Sequence, residues 1–189
     1  MRRIHITGGP GTGKTTLAKA LAERLGLAVH DLDGSGLDLQ ARMDPTDYEG
    51  LAAARRVQSQ AFAANEAWIS EGSNILVARP LFERAEVIVV LYTSWRVASY
   101  RILARHAKAT LVGNNRFPGL RRLYRFWRWS ARFYANTNPP GLNEWGTPTT
   151  QATMEDELAP YEAKVMRYRS KGQVLTLVTS LTDESHRRA

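Results

Sequence analysis

Gly8-Gly9-Pro10-Gly11-Thr12-Gly13-Lys14-Thr15 fits the spacing G-x-x-x-x-G-K-[ST], and each residue type in it has a use against phosphate. Glycines let the backbone curl around phosphate oxygens with its N–H groups turned inward, where a Cβ would obstruct. A helix opening at the end of such a loop adds unpaired N–H groups and the positive end of its dipole. The Lys14 ammonium would reach β- and γ-phosphates, and the Thr15 hydroxyl would coordinate Mg²⁺. The candidate nucleotide contacts are therefore Gly8, Gly9, Gly11, Thr12, Gly13, Lys14, Thr15 and Thr16.

The flanks supply the context this loop needs. Arg3-Ile4-His5-Ile6-Thr7 alternates like a strand, and Leu17, Leu21 and Leu25 stack at helical spacing after it. Strands are expected at Arg2–Thr7, Ala28–Asp31, Ala67–Glu71, Glu86–Tyr92 and Gln173–Thr179. Helices are expected at Lys14–Leu25, Asp47–Glu66, Ile75–Arg84, Ser94–Lys108, Leu120–Ala135 and Met154–Ser170. Val87–Leu91 and Val174–Val178 are nearly unbroken apolar runs, the mark of parallel strands covered on both faces. Alternation of this kind implies right-handed βαβ crossovers and a doubly wound, five-stranded parallel sheet. Residues 34–46 and 136–150 are expected to be loops.

In such a sheet ligands bind beyond the carboxyl ends of the strands. The second strand ends in His30-Asp31-Leu32-Asp33 and the third in Ser70-Glu71-Gly72-Ser73-Asn74, so three carboxylates are expected beside the phosphate loop. His5, inside the first strand, reads as a packed histidine. Chemistry needing a thiol is excluded, because the chain has no cysteine.

Net charge is +8, but its distribution says more. Val87 to Asn143 holds no Asp or Glu and carries Arg96, Arg101, Arg105, Lys108, Arg116, Arg121, Arg122, Arg125, Arg128 and Arg132. Nine of these ten are arginine, whose planar fork suits phosphate. Arg121, Arg125, Arg128 and Arg132 fall within about 60° of one another on a helical wheel. Leu120, Leu123, Trp127, Ala131 and Tyr134 form a separate face, expected to pack on the core, with Phe126, Trp129 and Phe133 flanking the stripe. No apolar run is long enough to span a bilayer and the N-terminus lacks a signal-peptide core, so a soluble, cytoplasmic chain without a membrane partner is expected.

The loop Gly8–Thr16 resembles that of adenylate-kinase-type P-loop phosphotransferases. With Asp31-Leu32-Asp33 and Trp68-Ile69-Ser70-Glu71-Gly72-Ser73-Asn74, the chain is similar to the topology-modulation, or FlaR-like, subgroup. The resemblance covers most of the chain. It implies a nucleoside-monophosphate-kinase-like α/β domain whose residues 109–150 form a basic, helical, lid-like insertion. It implies an ATP- and Mg²⁺-dependent transferase, with Glu71 holding a metal-bound water and Asp31 and Asp33 meeting metal and acceptor hydroxyl. Arg101 and Arg105 match the arginine pair leading into the lid, and with Arg116 they would neutralise charge on the transferred phosphoryl group. The chain departs from many relatives in carrying Leu91-Tyr92-Thr93 where an Asp often ends the fourth strand. A second reading is a nucleic-acid-associated ATPase or regulatory ATP-binding protein, in which Arg121, Arg125, Arg128 and Arg132 track a polynucleotide backbone.

Overall fold

A computed structural model describes residues 2–33, 48–115, 117–143, 146–170, 172–174 and 176, with the side chains of Tyr48 and Glu49 excepted. The expected loop 34–46 and Arg116 lie outside the described residues.

Strands β1 (Arg3–Gly8), β2 (Val29–Asp31), β3 (Trp68–Glu71), β4 (Val87–Leu91) and β5 (Val165–Tyr168) form one sheet in the order β2-β3-β1-β4-β5. Every pairing is parallel. Helices α1 (Lys14–Leu25), α2 (Tyr48–Ala63), α3 (Ile75–Arg84), α4 (Trp95–Leu111), α5 (Leu120–Ala135) and α6 (Gln151–Leu158) connect them, and a 3₁₀ turn at Ala159–Lys164 leads into β5.

Strand alternation sorts the core into two layers. Ile4, Ile6, Val87, Val89 and Leu91 point to one face, where α1 covers them with Leu17, Ala18 and Leu21. Ile88 and Val90 point to the other, against Leu81 and Phe82 of α3, Phe133 of α5 and Met154 and Leu158 of α6. Buried strands covered on both sides thus explain the apolar run Val87–Leu91. The chain leaves β1 toward β2 at one edge, whereas β3 feeds β4 on the opposite side of β1. The β1–β3 boundary is therefore the natural crevice for a ligand.

The last strand is not where the apolar pattern put it. The expected helix Met154–Ser170 stops at Leu158, because Pro160 lacks the N–H an α-helix would need. Val165–Tyr168 then pairs with Ile88–Leu91 as β5. Arg167 fixes this edge, donating to both Glu155 and Glu162. Within the expected strand Gln173–Thr179, residues 173, 174 and 176 are helical, and the rest lies outside the described residues.

The packing of α5 also differs from its helical wheel. Ser130 and Phe133 are the buried residues, with Trp129 packed on the same core, while Leu120 is exposed. The helix lies in the angle between the sheet layer and α4, so two adjoining faces are covered. Trp127 and Tyr134 turn to α4, meeting Trp95 at ring-centroid distances of 5.4 and 5.7 Å. Arg121, Arg125, Arg128 and Arg132 remain outside on the exposed face.

Candidate active site

The loop between β1 and α1 is held open in shape by its glycines. At Gly8, with φ of 146°, a Cβ would sit 2.5 Å from the Leu91 carbonyl oxygen, backbone that cannot step aside. Gly13, at φ 100° and ψ 21°, starts α1 without any side-chain cap. By contrast, Asn74, Ser94 and Thr150 cap α3, α4 and α6 with their side chains. The first N–H groups of α1 are left to a ligand, and an anion is what they attract.

Lys14 is buried at the mouth of this loop, its Nζ donating to the carbonyls of Gly8 and Gly9 at 3.0 and 3.2 Å. Thr15, exposed on the first turn of α1, donates its hydroxyl to Glu71 Oε1 at 2.7 Å. Glu71 ends β3 and is only 2% exposed. The register sets it opposite Ile6 on one side and Asp31 on the other. Burial pushes the Glu71 carboxyl above its ordinary range, and Asp31 and Asp33 add to the rise. The Thr15 hydrogen bond and the Lys14 charge oppose it. A buried carboxylate that also feels the charges of Asp31 and Asp33 favours a nearby cation.

Mg²⁺ prefers one or two carboxylates, a hydroxyl or water, and phosphate oxygens over an all-protein cage. Among the described residues no three His, Asp or Glu side chains gather as a metal-binding group. Glu71 and Thr15, bonded to each other beside a phosphate cradle, fit the sparse arrangement magnesium uses.

Other expected residues fall around this centre. Asp33, exposed, accepts from the Ser73 N–H at 3.3 Å, and Ser73 Oγ donates to the Gly8 carbonyl at 3.1 Å. Asp31 is half-buried one strand away from Glu71. Arg101 donates to the carbonyls of Gly11 and Thr12 at 3.2 and 3.1 Å, so it lies on the loop itself. Arg105 is exposed one turn further along α4. Asn74, two residues beyond Gly72, caps α3 by accepting from Val77 N–H.

Three residues escaped sequence reasoning. Arg55 of α2 is 8% exposed, donates to the Leu32 carbonyl at 2.7 Å, and buries an Nε that has no hydrogen-bond partner among the described residues. Burial lowers its pKa while the nearby Asp33 charge opposes the fall. Ser73 sits between the loop and Asp33, as above. Tyr134 of α5 donates its hydroxyl to the Pro10 carbonyl at 2.7 Å, and burial raises its pKa. With Phe133 it closes over Gly9, while Ala98 of α4 lies under Gly11. The phosphate loop is therefore clasped by the root of the α4–α5 hairpin. His5, by contrast, is wholly buried, near Ser70 Oγ at 2.8 Å, with its pKa lowered to about 3 by burial and then Lys14. It is packing, as its position in β1 implied.

A family model described as AAA domain matches residues 4–116, from β1 through the tip of the α4–α5 hairpin. The chain belongs to the AAA-domain family. A shikimate kinase of Bacillus cytotoxicus is 42% identical over 62 residues. That match spans 32% of this chain and 38% of the relative's length. A solved shikimate kinase from Bacteroides thetaiotaomicron shares the fold, with a TM-score of 0.50 at 18% identity over 96% of both chains. A gluconokinase from Sinorhizobium meliloti 1021 gives a TM-score of 0.49 at 15% identity, covering 100% of this chain and 97% of that one. The AAA-domain match and the parallel five-stranded sheet give this chain a P-loop NTPase fold. Among the described residues no helix is long and apolar enough to cross a membrane.

Proposed function

We propose that this AAA-domain protein is an ATP-dependent small-molecule kinase, moving the γ-phosphoryl group of ATP to a hydroxyl of an anionic acceptor. One observation carries the reading: the hydroxyl that ends the phosphate loop is bonded at 2.7 Å to a buried carboxylate from the neighbouring strand. The similarity to a shikimate kinase over 62 residues supports the same class of reaction.

Magnesium held there would neutralise charge on the phosphate oxygens. Lys14 and the amides of Gly11, Thr12, Gly13 and Thr16 bind the β- and γ-phosphates, and Lys14 exchanges its two carbonyl contacts for phosphate oxygens. Thr15 and Glu71 would hold the cation. Asp33 orients the acceptor hydroxyl and takes its proton, with Asp31 beside Glu71 keeping the pocket acidic. Arg55, buried next to Asp33 with an Nε–H unpartnered among the described residues, gives the acceptor's anionic group a partner. Arg101, already on the loop, neutralises charge on the transferred group, with Arg105 one turn further along α4 as a second cation. The sequence Asp31-Leu32-Asp33 with Trp68–Asn74 supports placing the chain in the topology-modulation subgroup.

Labelled ATP offered with a panel of hydroxy acids, including shikimate and gluconate, and of nucleosides should label one product. Glu71→Gln should abolish the labelling. Release of free phosphate alone across the panel, stimulated only by polynucleotide, would replace the kinase reading with the nucleic-acid-associated ATPase.

A further inference from the structure

The α4–α5 hairpin carries charge that the nucleotide site has no means of using. Its root touches the phosphate loop through Ala98, Arg101, Phe133 and Tyr134. Its other end, where α4 finishes and α5 begins, lies about 20 Å away at 1.5 Å per helical residue. Side chains there fall well short of the phosphates.

That end is apolar as well as basic. Leu111 is 86% exposed and Leu120 78%, and Val112, Phe117 and Tyr124 are each more than half exposed. Five large apolar side chains within fourteen residues of one tip is far more than scattered surface hydrophobicity. Lys108, Arg121, Arg122 and Arg125, all exposed, rim them within about a turn of helix, and no acidic residue occurs anywhere from Val87 to Asn143.

We propose that this tip docks the protein reversibly on an anionic lipid bilayer, the apolar side chains entering the headgroup boundary and the cationic rim meeting acidic headgroups. The composition chooses this occupant over others. Leu111, Val112 and Leu120, including the two most exposed side chains of the patch, gain by leaving water among acyl chains and give a base nothing to stack on, while the rings of Phe117 and Tyr124 suit the headgroup boundary equally well. A second copy of the chain would bring one cationic rim against another. Neither apolar insertion nor the basic rim suffices alone for lasting attachment, and the pair supplies the two signals a reversible anchor requires. The surface needs only contact, not crossing, so it does not require any described helix to be long and apolar enough to span.

Co-sedimentation of the full chain with vesicles tests it, without nucleotide, so the outcome is independent of the kinase reading. Binding to phosphatidylcholine containing phosphatidylserine should exceed binding to phosphatidylcholine alone and weaken with salt. Leu111→Ser with Leu120→Ser should lower the partition at least about tenfold. Arg121→Glu with Arg125→Glu should lower it by at least about fivefold per reversed cation, the equivalent of about 1 kcal/mol each. Circular dichroism and ATP binding should match wild type in both variants. Vesicle binding that ignores phosphatidylserine, or that survives the double leucine change, overturns the proposal. So does a leucine-pair variant that loses polynucleotide binding or self-association while its vesicle binding stays unchanged.

Discussion

Gly9 meets Phe133 and Tyr134 closely enough to make the clasp on the phosphate loop measurable. Gly9 is not among the glycines with positive φ, so its backbone is open to alanine. What an added methyl meets is packing: Phe133 Cε1 at 2.7 Å and Tyr134 Oη at 3.1 Å. Ordinary contact needs several tenths of an ångström more at each. Phe133 is 3% exposed and has little room to retreat, so overpacking should cost about 1–3 kcal/mol. Pushing Tyr134 away also strains or breaks its 2.7 Å bond to Pro10, worth about 0.5–1.5 kcal/mol. Gly9→Ala should therefore destabilise by about 2–4 kcal/mol, a fall in Tm of about 5–15 °C for a chain of this size. Phe133→Leu shortens the ring that blocks the methyl. In that background Gly9→Ala should cost much less, leaving a coupling of about 1–3 kcal/mol in a double-mutant cycle read by thermal or urea unfolding. If the two changes add to within about 0.5 kcal/mol, the helix root does not press on the loop as described, and the reasoning fails.

Burial raises the Glu71 carboxyl, so the folded chain binds that proton more tightly than the unfolded chain; stability then falls as pH climbs from the unfolded carboxylate range through the raised folded value. Glu71→Gln should remove that slope and raise Tm at neutral pH without nucleotide, while abolishing the magnesium dependence of ATP binding measured by calorimetry; a lower Tm would contradict the desolvation argument. Lys14→Ala removes a donor aimed at the loop mouth and should weaken ATP binding about 10- to 150-fold, from about 1.5–3 kcal/mol for a hydrogen bond to a charged group. Arg101→Ala should lower kcat more than it raises KM if its guanidinium, bonded to the loop, serves the proposed transfer; an effect confined to KM would assign it to ground-state binding.

The centre of the site could be read from the chain because its pieces are local. Gly8 through Thr15 is one contiguous loop, and Glu71 declares itself as an acid ending an apolar strand. What was hidden is tertiary. Nothing near Arg55 in sequence shows that α2 carries it to the Leu32 carbonyl, and Tyr134 reaches Pro10 across 124 residues. A helical wheel weighs one apolar face, but α5 fills the angle between two neighbours, which is why Phe133 was set beside the stripe and Leu120 in the core. The final strand was misplaced for a simpler reason. Val165–Tyr168 is short, half-exposed and punctuated by Arg167, so as an edge strand it lacks the unbroken apolar signature of β4.

The Tyr134 hydroxyl and the Arg101 guanidinium both tie the root of the hairpin to the phosphate loop. Because the hairpin extends about 20 Å beyond that joint, it behaves as a lever arm, and a tilt of about 5° at Pro10 swings the far end by nearly 2 Å. A ligand that displaced the loop at Pro10 would thereby change how the distant leucines are presented.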